Sequence, residues 1–112
     1  MNNSEREQEA LKWINRAKKD LRAAKTLFAD EEPDYELSCY LSQQCVEKSL
    51  KALLIWLGIK FAYKHDLEYL AGLLPPGKQE KFAEIELEWL SGWSTEGRYP
   101  TDCTNCSFWF IC

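Results

Sequence analysis

The run from Tyr40 to Leu57 contains neither glycine nor proline and is closed by Gly58. A stretch of that length without a breaker, ending on the residue that best tolerates a left-handed cap, predicts a central helix. At about 100° per residue, Cys39, Val46, Leu50, Leu53, Leu54 and Leu57 share one arc, the apolar stripe of a core-facing helix. Ser38, Ser42, Cys45, Ser49 and Ala52 line a neighbouring face, where small side chains let a second helix approach closely. Away from them, Tyr40, Gln44, Glu47, Lys48 and Lys51 form a polar stripe on a helix that is otherwise buried.

The other elements follow from this helix. Ser4 followed by Glu7 matches a capping box and predicts the start of a first helix. Ala10, Trp13, Ile14, Ala17, Leu21, Ala24 and Phe28 then form one apolar face, carrying that helix to about Ala29. Asp30 to Asp34, with Pro33, breaks the pattern, and the second helix begins just after it. Gly58 to Lys64 lacks a helical period and reads as a loop over the end of the core, with His65 opening a third helix of about Asp66 to Leu74. Pro75-Pro76-Gly77 stops it. A fourth helix, about Lys78 to Trp93, turns Phe82, Ile85, Trp89, Leu90 and Trp93 inward. No segment alternates cleanly enough for a strand, so the expectation is an all-α, up-down bundle of four main helices. The short Asp30 to Asp34 connection makes the first two antiparallel neighbours. At 112 residues there is room for one small core.

Charge narrows the function classes. Eighteen acidic against fourteen basic residues give a net charge of −4, which does not advertise a nucleic-acid binder as a whole. The distribution is uneven: Lys12, Arg16, Lys18, Lys19, Arg22 and Lys25 lie on the outer face of the first helix, and Glu80, Glu84, Glu86, Glu88 and Glu96 gather toward the other end. With no Gly-rich cradle and no interleaved aromatic residue, the basic face reads as solvated. The N-terminus has no apolar signal-like region, and the apolar run Ala52 to Ile59 is far too short to span a bilayer. A cytoplasmic protein without a membrane partner is expected. Five cysteines, an odd number, then read as reduced thiols.

Two readings of the polar stripe stand side by side. Glu47 and Lys51 form an ordinary i,i+4 pair on a wet face, or the amide, carboxylate and ammonium groups converge on a bound polar ligand such as a phosphate. Asp20, at the edge of the first helix's apolar face, needs a donor that the sequence does not name. His65 is the single side chain expected to titrate near neutrality, and it suits either a helix-capping or a chemical role.

The run Gln44-x-x-Glu47-Lys48-x-Leu50-Lys51-Ala52-Leu53-Leu54, followed by His65-Asp66-Leu67, resembles the HEPN family. Trp13, Ala17, Asp20-Leu21 and Ala24 fit its first-helix pattern, and Arg98-Tyr99-Pro100 fits its RYP-like segment, so the resemblance spans about residues 10 to 100. It implies a helical domain over 1–100; the Cys- and aromatic-rich tail over 101–112 departs from the family's pattern, and a fifth helix is expected to be shortened or lost there. It also implies a homodimer and a nucleotide-binding or nucleotidyltransferase-partner role, as in toxin–antitoxin pairs. In such a site Lys48, Lys51 and Arg98 would neutralise phosphate, Gln44 would bond a base or sugar, Tyr40 or Tyr99 would stack, and Glu47 would complete the polar set.

Nuclease members of the family carry an Arg followed four to six residues later by His, a pair absent from the family's position here, so catalysis is not expected. Two alternatives remain: a metal-independent RNase toxin using His65 and Arg98, and a structural dimerisation domain whose polar stripe is merely solvated. No cofactor is expected, since there is neither a Walker-type loop nor a dinucleotide fingerprint. Cys103, Cys106 and Cys112 fall one ligand short of a structural zinc site.

Overall fold

A computed structural model describes residues 1–93. Arg98, Tyr99 and the tail with its three cysteines lie outside the described residues. Helix α1 runs Asn3–Ala29, and its cap is Asn2, whose side chain accepts from the Glu5 amide at 2.8 Å. The Ser4–Glu7 capping box is therefore not used; an Asx cap two residues earlier satisfies the first free amides instead.

Helix α2 spans Tyr35–Leu57. Asp34 caps its start by accepting from the Leu37 amide at 3.0 Å, while Pro33 stands just outside. Gly58 ends it in the left-handed region (φ 72°), its amide returning to the Ile55 carbonyl. A side chain there would be strained by the backbone alone.

The two long helices pack antiparallel. Ser38 Oγ donates to the Ala24 carbonyl at 3.0 Å, Lys48 meets Asp20, and Lys51 lies over Trp13, so rising numbers on α2 meet falling numbers on α1. The interface is made of small residues on both sides: Ala10, Ala17 and Ala24, each two turns apart on α1, are buried with Ser38, Ser42, Cys45 and Ala52 of α2. Small side chains bring the backbones close, and Ser42 and Ser49 satisfy their hydroxyls on carbonyls one turn back in their own helix. The larger apolar residues of α1 do less than their periodicity suggests. Trp13, Ile14 and Leu21 are half-buried, and Phe28 is exposed, set edge-on against Tyr35 at 5.6 Å.

The neighbouring stripe of α2 holds the core. Cys39, Val46, Leu50 and Leu54 pack with Leu67, Leu70, Ala71, Leu74, Ile85, Leu90 and Trp93. Those partners come from short elements: α3 (Leu67–Gly72), α4 (Pro76–Gln79), a 3-10 turn (Glu80–Phe82) and α5 (Leu87–Ser91). The third helix is shorter than expected and is opened by Asp66, which accepts from the Tyr69 amide, rather than by His65. The expected single helix Lys78 to Trp93 is instead three pieces. Pro76 occupies the first turn of α4, Gln79 reaches back to the Leu74 carbonyl at 2.7 Å, and the chain bends at Ala83–Glu86 so that Ile85, Leu90 and Trp93 all reach the core. Ser91 Oγ accepts from the Leu67 amide at 2.9 Å, tying the start of α3 to α5. Among the described residues every regular element is helical.

Candidate functional site

One row of α2 carries Gln43, Glu47 and Lys51, each a turn apart, and all three are buried. A carboxylate this far from water needs donors. Glu47 has three: Gln43 Nε2 at 3.0 Å, Lys51 Nζ at 3.0 Å, and His65 Nδ1 at 2.9 Å from one oxygen and 3.0 Å from the other. Because an ionised carboxylate only accepts, Nδ1 carries the proton and Nε2 is left as the free ring nitrogen. His65 lies on the loop before α3, so Glu47 clasps that loop to the central helix. Gln43 adds a second strand to the clasp, its amide lying 3.5 Å from the His65 carbonyl, and its own oxygen accepts from Gln44 at 2.7 Å.

Aromatic rings close over the cluster. The Lys51 ammonium lies 5.7 Å from the Trp13 ring centre and 5.0 Å from that of Tyr63, and Tyr63 meets the His65 ring edge-on at 5.9 Å. These rings shield the ammonium with their negative faces while Glu47 neutralises it. Lys48 is held apart from this group: it extends to Asp20 of α1 at 2.6 Å, supplying the donor that Asp20 required.

The structure thus divides the sequence's polar stripe. Glu47 and Lys51 come together and Gln44 joins them through Gln43, whereas Lys48 turns to α1 and Tyr40 sits half-buried farther up α2. Glu47 and Lys51 are not a wet surface pair, since their side chains are 4% and 3% exposed. Gln43, Trp13 and Tyr63 were absent from the sequence-derived set. Gln43 was within reach of it, because it stands one turn before Glu47 as Lys51 stands one turn after. Tyr63 had no such signal, its placement being set by the loop. Among the described residues no group of His, Cys, Asp or Glu is arranged to hold a metal ion, and no helix is long and apolar enough to cross a membrane.

A helical hairpin whose second helix carries a buried carboxylate, clasping a histidine on the following loop, defines an all-α domain with a built polar centre. The sequence model of the HEPN domain matches residues 10–105, and the chain belongs to the HEPN domain family. Over 49 residues, 44% of the chain, it is 51% identical to a protein of Methanocaldococcus jannaschii named "Putative toxin MJ1304". That alignment covers 31% of the relative, so the chain spans under a third of the length of the curated protein it matches. No solved structure matches the chain significantly.

Proposed function

We propose that this HEPN chain is one half of a toxin–antitoxin-type pair and binds a nucleotide or a nucleotidyltransferase partner, without catalysis of its own. The observation that carries the reading is the Glu47 centre: a buried carboxylate satisfied by Gln43, Lys51 and His65 fixes an imidazole at the protein surface. Such a centre is costly to bury and positions polar groups before any ligand arrives, which lowers the ordering cost of binding. The family membership and the name of the archaeal relative support the toxin–antitoxin assignment.

Isothermal titration with ATP, GTP, CTP and UTP, with and without Mg²⁺, tests the nucleotide arm. Co-purification with a co-expressed minimal nucleotidyltransferase tests the partner arm. Failure of both would remove the reading.

The clasp also favours a second reading. A carboxylate on Nδ1 sets the tautomer of a histidine and leaves Nε2 to accept or donate a proton, the arrangement of a general acid–base group. His65 would then act in metal-independent RNA cleavage, with Arg98, outside the described residues, as its cation. Products ending in 2′,3′-cyclic phosphate, abolished by His65→Ala, would establish it.

We also propose a homodimer. The small-residue stripe is covered by α1 within the chain, so a second copy would use the groove of about 320 Å³ beside Leu11, Ile14, Leu53 and Trp56, where Leu11 and Trp56 are half-exposed. A monomeric mass by light scattering at micromolar concentration would exclude it.

A further inference from the structure

We infer that Tyr63 is the base-stacking residue of the site, and that Arg16, beyond Lys51 and Trp13 in the same row of contacts, supplies a cation for phosphate. This rests on the nucleotide arm of the reading above and moves the ligand from the α2 stripe to the loop and α1.

Tyr63 is 87% exposed, an unusual setting for a large aromatic side chain that is nevertheless held in place. It is held on two sides: the buried Lys51 ammonium lies over the ring and His65 stands at right angles to it. With a cation against one face and most of the residue open to water, the other face is free to stack. Base–aromatic stacking needs only such a π-face and tolerates any base.

The phosphate requires a cation not already neutralised. Lys48 and Lys51 are bonded to Asp20 and Glu47, so neither is available without breaking an ion pair. Arg16 is different: it lies over Trp13, 5.7 Å from the ring centre, with no carboxylate partner among the described residues, and Trp13 in turn lies beneath Lys51. Tyr63, Lys51, Trp13 and Arg16 therefore form one row of contacts that ends on the exposed Arg16 of α1. His65 Nε2 adds a polar atom beside the ring. The aromatic residue missing from the basic face in sequence is supplied from the loop.

The test is fluorescence anisotropy of 5′-labelled oligouridylate and oligoadenylate about eight nucleotides long, with competition by AMP, UMP and ATP, on the unmodified protein and on Tyr63→Ala, Tyr63→Phe and Arg16→Gln. Stacking of this kind predicts about five- to hundredfold weaker binding for Tyr63→Ala. Tyr63→Phe, which keeps the ring, should bind within about twofold of the parent. Arg16→Gln should weaken binding and flatten its salt dependence. Mononucleotides competing as strongly as unlabelled oligomer identify a free nucleotide as the ligand, and oligomer competing far better identifies single-stranded RNA; either supports the inference. Binding that Tyr63→Ala leaves unchanged overturns the assignment but leaves nucleotide binding standing. No binding of any probe overturns both. Circular dichroism checks folding, and Tyr63→Phe serves as a second, conservative variant.

Discussion

Glu47→Gln removes one charge with almost no change in volume, so no cavity clouds the result. In the folded chain Lys51 Nζ sits 3.0 Å from the carboxylate with its side chain 3% exposed, so the substitution leaves a buried ammonium facing a neutral amide. Breaking a buried ion pair by removing one partner costs about 3–5 kcal/mol, most of it the uncompensated charge. The nearby Trp13 and Tyr63 rings soften that cost but do not replace an anion. His65 also exchanges a charge-assisted bond for a neutral one. For a domain of this size the loss corresponds to a midpoint lower by roughly 15–25 °C. Urea unfolding followed by far-UV circular dichroism measures it directly. The double variant Glu47→Gln/Lys51→Met should recover most of the loss, because it removes the orphaned charge and puts an apolar chain of similar length in its place. A single-variant cost under about 1 kcal/mol, or no recovery in the double, would mean that water reaches Lys51 and that the cluster is an ordinary surface pair.

Three further outcomes follow from the helical hairpin. A double-mutant cycle on Asp20→Asn and Lys48→Met should give a coupling of about 1 kcal/mol, since the pair is short but about one-fifth exposed; urea unfolding reads it. Ala17→Leu should destabilise by about 1–3 kcal/mol, because α1 approaches α2 through a buried alanine, and a stability equal to the parent would show that the seam has room to spare. Gly58→Ala should cost about 1–2 kcal/mol from the left-handed backbone, with little added by the flexible Arg6 side chain that a new Cβ would meet, and thermal denaturation checks it.

The sequence disclosed the long helices because their signals are local. Twenty-three breaker-free residues, an acidic cap and Gly58 define α2, and a three- and four-residue period defines α1. It did not disclose how the core divides. Phe82, Ile85, Trp89, Leu90 and Trp93 keep helical spacing, yet a continuous helix gives way to short turns because packing on α2, rather than intrinsic propensity, decides segments this short. Phe28 shows the same limit: its period is right, but it lies at the end of α1, beyond the part that α2 covers fully.

The site was legible in part for a similar reason. Glu47 and Lys51 are neighbours on one helix face, so their pairing was readable, while their burial depends on the loop that returns to them. Lys48 and Asp20 lie on different helices and meet only once the hairpin registers. Tyr63 belongs to a segment without periodicity, so nothing in the chain placed it over Lys51.

The chain holds one histidine, which makes a nuclear magnetic resonance titration unambiguous. Following the His65 imidazole signals while ATP, GTP, CTP or UTP is added tests the central claim that the Glu47-held histidine lies at a nucleotide-binding surface. A saturable shift of those signals with at least one nucleotide is expected. Signals that stay fixed while a nucleotide binds, or while none does, would contradict it.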